Sequence, residues 1–278
     1  MSNILPASAH REKTIYFDLP DTDNLRMRAD LRGGESIEAI AEQGKPLAVI
    51  VPGNTAYAYS GLYLGCAHTL LESGIPSLRL SYCDTAPDTR NYLTNTFKEQ
   101  LEDTTVVLEE LKRRAAPELH AIGHSVGALA ILSSPADHAI DSAVLWETSH
   151  GSFFQQNPID SPKFPNVQYD DYLIYPDGHG DLTSRTAFDF LRSLGDTTSR
   201  AKGHSFPTMF VAGGKSGLRP YAEQYFTAAD GEKGLGVIPD ATHNFEGNDI
   251  VAMREMLYRA TATWISENSA LLADSTPN

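Results

Sequence analysis

Residues 123–127 read Gly-His-Ser-Val-Gly, with an apolar run on either side. A serine hydroxyl is a poor nucleophile until a base takes its proton, and histidine is the usual base. A strand, G-x-S-x-G and then a helix is the context of a nucleophile elbow. The serine there occupies a tight, strained turn, so the residues two before and two after it must lack side chains. Gly123 and Gly127 meet that need. The turn would lift Ser125 Oγ to the carboxyl end of a sheet, where the next helix aims its free N–H groups. The same five residues also suit an ordinary strand-to-helix turn, so the chemistry depends on partners elsewhere in the chain.

The chain has nine histidines. His243, in V-I-P-D-A-T-H-N-F, lies just past the last expected strand and before the last expected helix. That placement fits the order Ser, acid, His of elbow enzymes; the alternative is a capping or surface histidine. His124 is inside the elbow and points elsewhere, while His150 and His179 fall in a Pro-, Asp- and Gly-rich segment and are weaker candidates.

With the elbow, V-P-G-N at 51–54 and A-T-H-N-F on the page, the chain resembles the α/β-hydrolase superfamily, in particular its compact esterase, lipase and acyl-peptidase-like members. The likeness spans residues 14–266, with 149–202 in the place of the variable cap. It implies a single α/β domain over residues 1–278, built on a mostly parallel, doubly wound sheet. It also implies an acid in a Gly-x-x-Asp turn after the strand at 207–212. That turn reads G-G-K-S-G-L here, and Ser216 stands where the aspartate is expected. Some members place the acid one strand earlier, where this chain has A-V-L-W-E-T-S, so Glu147 becomes the leading candidate. Asp240, three residues before His243, is the alternative and suits a turn. The oxyanion hole needs two donors. The backbone N–H of Val126 would be one, and that of Asn54, or else Thr55, the other. Pro52 has no N–H, and Gly53 allows close backbone approach.

The elements that must hold these residues follow from hydrophobic pattern. Residues 14–18 and 25–31 alternate like two edge strands. The continuous apolar run at 47–51 reads as a strand buried on both faces, and 77–82, 118–122, 142–146, 207–212 and 235–238 read as further strands. Helical periods fill 62–73, 94–114, 126–132, 221–228 and 250–265, the last with Val251, Leu257, Ala260 and Trp264 facing inward. Gly74 is expected as a left-handed cap. In the insertion one helix is expected at 184–194, and the tail after 268 is expected to fray.

The insertion carries Phe153, Phe154, Phe164, Tyr169, Tyr172 and Tyr175, which either line an apolar acyl or aryl pocket or pack the lid onto the body. Tyr57, Tyr59 and Tyr63 are candidates for the entrance. P-D-G-H-G-D at 176–181 suits a turn better than a metal site, so no metal is expected.

Of the 278 residues, 41% are apolar and 21% charged, and the formal net charge is −14. No basic stripe exists to meet a nucleic acid; Lys112, Arg113 and Arg114 suit a helix C-terminus instead. Two cysteines without a C-x-x-C, no apolar leader and no long apolar span point to a cytoplasmic protein with no membrane span. These readings converge on a serine hydrolase cleaving a small-molecule carboxylic ester or thioester through an acyl-enzyme, with no cofactor. Acyl transfer or peptide cleavage on the same residues is the second enzyme reading. A non-catalytic binding module that has lost its acid is the reading from another class.

Overall fold

A computed structural model describes residues 12–19, 22, 24–54, 56–84, 86–91, 95–114, 118–156, 168–169, 172–174 and 182–273. Its main sheet has eight strands: β1 (Glu12–Asp18), β2 (Arg26–Arg32), β3 (Leu47–Val51), β4 (Ser77–Ser81), β5 (Leu119–His124), β6 (Ser142–Trp146), β10 (Thr208–Gly213) and β11 (Lys233–Ile238). They lie in the order β1-β2-β4-β3-β5-β6-β10-β11. The pairs from β4 to β11 are parallel, and β1 and β2 form the antiparallel edge. β3, β4, β5 and β6 are buried at every residue. Burial on both faces explains why β3 reads as an unbroken apolar run rather than an alternating one, while β4 and β5 hold polar residues such as Arg79 and His120 buried within them.

Helices cover both faces. α1 (Ile37–Glu42), α2 (Gly61–Glu72), α3 (Phe97–Arg113), α4 (Val126–Ser133), α7 (Arg219–Ala228) and α8 (Ile250–Glu267) belong to the body. One core cluster holds Leu31, Val49, Leu78, Leu108 and Phe210; the other, on the opposite face, holds Ile50, Leu70, Val144, Trp146 and Leu257. α3 starts with a capping box, Thr96 and Glu99, and ends on Lys112 and Arg113, which complement the dipole of its last turn. Gly74 has φ +79 at the end of α2, a backbone state that glycine adopts without strain. None of the described helices is long and apolar enough to cross a membrane.

Three details depart from the pattern. α1 interrupts what reads as a direct passage from β2 to β3; Ser36 caps it by accepting the Ala39 N–H at 3.1 Å. In α8 the inward stripe is Met253, Leu257, Tyr258, Thr261, Ala262 and Ile265, while Val251 is 73% exposed. Two residues before Met253, Val251 sits about 200° around the helix from the buried stripe. The segment after 268 forms a short helix, α9 (Ala270–Ala273), tied down where the Leu271 N–H donates to Glu118.

The insertion holds more than one helix. α5 (Gly151–Gln156) and α6 (Arg185–Ser193) flank a small antiparallel sheet of β7 (Gln168–Tyr169), β8 (Tyr172–Ile174) and β9 (Leu182–Ser184). It rests on the body through Phe190 against Phe97, with ring centroids 5.9 Å apart.

Candidate active site

The parallel strands bring the loops after β3, β5, β6, β10 and β11 to one end of the sheet. β5 is buried throughout and runs straight into α4, leaving Ser125 as the single residue between them. Ser125 takes φ 56 and ψ −117. This is a positive φ on a residue with a side chain, the strained state in which functional groups are often held. The flanking glycines are required by contact. A Cβ on Gly127 would lie 2.3 Å from the Pro52 carbonyl oxygen, and one on Gly123 would lie 2.5 Å from the Ala128 Cα. Gly53 is less crowded but still tight, since its Cβ would stand 3.2 Å from the Ser125 Cβ.

β6 supplies the carboxylate. Glu147 follows Trp146 with φ 50, is fully buried, and has its N–H on the Val211 carbonyl at 2.8 Å. Its carboxylate accepts from three donors: the Gly213 N–H, the Ser216 hydroxyl, and His243 Nδ1 at 3.2 Å. Because a carboxylate only accepts here, His243 carries its proton on Nδ1 in this contact, leaving Nε2 as the outer nitrogen. Ser216, at the position where the resemblance implied an aspartate, is therefore a partner of the carboxylate. Asp240 instead meets Lys215 at 2.7 Å on the surface, with 61% of its side chain exposed.

β11 leads to the turn that presents His243. Asp240 (φ 60) and Phe245 (φ 52) bend it, and the Thr242 N–H donates to the Glu246 carbonyl at 2.9 Å. Phe245 is buried edge-on against Trp146. The His243 side chain is 41% exposed, so the imidazole is held on one side and open on the other.

His124 ties this turn to the one after β3. Its Nε2 donates to the His243 carbonyl at 3.2 Å, and the two rings lie 5.1 Å apart. Burial, then the neighbouring His243, lowers the His124 pKa to about 3, so the ring is neutral and Nδ1 accepts. The Tyr63 hydroxyl donates to that Nδ1 at 2.9 Å and accepts the Gly53 N–H at 2.9 Å. Burial raises the Tyr63 pKa, which keeps the phenol protonated. The chain Gly53, Tyr63, His124, His243 thus fixes the distance between the β3 turn and the histidine turn. Tyr63 is a buried brace rather than an entrance residue; Tyr57 and Tyr59 stack on one another at 5.0 Å, with Tyr59 exposed.

Ser125 has a partner that its sequence context does not announce. Its N–H donates to the Trp146 carbonyl at 2.9 Å, and its Oγ lies 3.1 Å from Ser149 Oγ. Among the described residues no hydrogen bond joins Ser125 Oγ to His243. Ser149 is itself anchored: its N–H donates to the Ser125 carbonyl at 3.1 Å, and its carbonyl accepts from Tyr225 at 2.9 Å. No local pattern in W-E-T-S-H signals this contact, which arises where the end of β6 crosses the elbow.

Of the expected oxyanion donors, Val126 is the first residue of α4, so its N–H has no acceptor within the helix. Asn54 sits in the β3 turn with its side-chain oxygen accepting from Gln100 at 3.1 Å. Thr55 lies outside the described residues, as do His179, Phe164, Tyr175 and the segment 176–181; the side chains of Tyr169 and Tyr172 are likewise outside. Phe153 and Phe154 pack edge-on with one another and against Tyr221 and Phe188, joining the lid to the body. His150 is buried by stacking on Tyr221 at 4.4 Å, with Thr198 and Asp196 at its Nε2. It takes no part in the Ser125–Glu147–His243 group.

No family model matches the chain, and no curated protein matches it in sequence. Solved structures do resemble it. Est1E from Butyrivibrio proteoclasticus, with ferulic acid bound, superposes with a TM-score of 0.71 at 16% identity, over 91% of this chain and 98% of that one. The alpha/beta hydrolase domain-containing protein 10 from mouse gives 0.69 at 12%, over 92% and 100%. The esterase domain of a Rhodothermus marinus protein gives 0.65 at 15%, over 92% and 98%. The chain has the α/β-hydrolase fold.

Proposed function

We propose that the protein is a serine hydrolase that cleaves a carboxylic ester or thioester. Ser125 Oγ leaves Ser149, gives its proton to His243 Nε2 and attacks the acyl carbonyl. Catalytic hydrogen bonds are often unformed in a resting site and close only around substrate. Glu147 holds the imidazole by Nδ1 and stabilises the imidazolium. The N–H groups of Val126 and Asn54 receive the developing oxyanion, where a lost donor typically costs about 2.7–4 kcal/mol of barrier. His243 then protonates the leaving alcohol or thiol, and water, activated by the same imidazole, releases the acid from the acyl-enzyme.

The observation that carries the reading is the Glu147 carboxylate on His243 Nδ1, beside a serine held at positive φ. A binding module that had lost its acid would have no reason to bury a charged group there, because burying an unused carboxylate is costly. Esterases among the structural neighbours accord with it. A fluorophosphonate probe tests it: the wild type should label and Ser125→Ala should not. A folded wild type that resists the probe would return the protein to the binding-module class.

A further inference from the structure

A small pocket, open at its mouth, lies beside the turn after β3, and its walls include Asn54, Tyr82, Cys83, Asn95 and Gln100. Asn95 and Gln100 are almost fully buried. Asn95 Nδ2 donates to Cys83 Sγ at 3.3 Å, and Gln100 Nε2 donates to Asn54 Oδ1. Each amide thereby has its oxygen left over, and both Asn95 Oδ1 and Gln100 Oε1 are buried without a hydrogen-bond partner among the described residues. Buried acceptors are nearly always satisfied, so two on the wall of one pocket call for a donor.

We propose that this pocket binds a hydroxyl carried on the acyl part of the substrate, so that hydroxyacyl esters are preferred over their unsubstituted counterparts. The inference rests on the hydrolase reading above. Three features define the ligand. The free space at the core admits only one water-sized group, which excludes a ring or a chain. No lining residue is charged, so an ammonium would be buried without a counter-ion, whereas a hydroxyl is neutral. Burial pushes the Cys83 thiol up to about 12, which keeps it protonated and uncharged beside that hydroxyl.

Topology assigns the pocket to the acyl side. Its walls come from the ends of β3 and β4 and from α3, while His243 and Glu147 come from the β6 and β11 side of the elbow. The leaving group must face His243 to be protonated. The acyl chain, whose carbonyl points at Asn54 and Val126, therefore extends toward the pocket.

The test is a panel of esters with one leaving group and one acyl length, unsubstituted or hydroxylated at C2, C3 or C4. In the wild type one isomer should exceed the unsubstituted ester in kcat/KM by about ten- to a hundredfold, since its O–H pairs a buried acceptor that the unsubstituted ester leaves unpaired. Asn95→Leu should bring that ratio to within about twofold. A wild type that cleaves all of the esters at similar kcat/KM would show that the pocket holds only a water, overturning the inference while the hydrolase reading stands. Failure to cleave any ester, together with failure to take the fluorophosphonate, would overturn both.

Discussion

Replacing Glu147 with glutamine changes one heavy atom of a fully buried side chain and should separate the proposed triad acid from its alternative, Asp240. The carboxylate accepts from the Gly213 N–H, the Ser216 hydroxyl and His243 Nδ1. An amide offers one oxygen and one NH₂ group in the same space. If the oxygen stays at Oε1 to keep the Gly213 N–H, the NH₂ takes the place of Oε2 and faces both Ser216 and His243, and His243 must then present Nδ1 as an acceptor and carry its proton on Nε2. In that tautomer the imidazole can no longer take the Ser125 proton. The equivalent change in a serine-protease triad costs about 10⁴ in kcat, or about 5 kcal/mol of barrier at 1.36 kcal/mol per tenfold. We expect a loss of 10² to 10⁴ in kcat on a chromogenic short-chain ester, with KM nearly unchanged. Asp240→Asn is the control: its side chain is exposed and pairs only with Lys215, so the rate should stay within about twofold. The assay is steady-state hydrolysis by purified variants, with circular dichroism to show that each is folded. A folded Glu147→Gln within about threefold of wild type, or an Asp240→Asn just as slow, would remove Glu147 from the mechanism.

Three further perturbations reach the scaffold. Tyr63→Phe strands the Gly53 N–H and His124 Nδ1; at about 1–3 kcal/mol for each unpaired buried group it should cost about 2–6 kcal/mol, a fall of about 3–10 °C in Tm measurable by thermal unfolding. His124 titrates near 3 when folded and near 6.5 when unfolded. The unfolded chain therefore binds the extra proton first, and stability present above pH 6.5 is lost as pH falls toward 3, by up to about 5 kcal/mol. Urea midpoints should drop across that window, and His124→Gln should flatten the slope; an unchanged slope would mean that other groups set the acid limit. Gly127→Ala should unfold the chain or leave it insoluble, because its Cβ would meet the Pro52 and Val51 carbonyl oxygens at 2.3 and 2.4 Å; a soluble variant with wild-type Tm would contradict the close packing of the elbow.

What sequence could reveal of this fold, and what it could not, follows from the range of the forces involved. Strands buried on both faces, such as Leu47–Val51 and Ser142–Trp146, show as unbroken apolar runs because no residue in them meets water. The elbow shows because its glycines are imposed by backbone collisions within a few residues. Val251 fails as an inward residue because six residues place it about 240° around the helix from Leu257, off the stripe that packs inward. Tyr63 and Ser149 were beyond reach for a different reason. Each acts through a hydroxyl whose partner lies dozens of residues away, His124 for one and Ser125 for the other, and a tyrosine or serine in a buried segment looks the same with or without such a partner.

Ser216 shows how the two scales meet. Locally, G-G-K-S-G-L reads as a turn that has lost its acid. In three dimensions β6 and β10 are neighbours in the sheet, so the ends of both strands reach the same space. A carboxylate launched from the end of β6 arrives where one from the β10 turn would have stood. The β10 turn then needs to supply donors rather than charge. It does so with the Gly213 N–H and the Ser216 hydroxyl, while the Leu218 N–H donates to Ser216 Oγ at 3.1 Å and orients it. An aspartate kept at 216 would have put a second carboxylate within hydrogen-bonding distance of Glu147, and the like charges would have kept one of the two protonated. The serine is thus the residue that an acid on β6 requires of its neighbour.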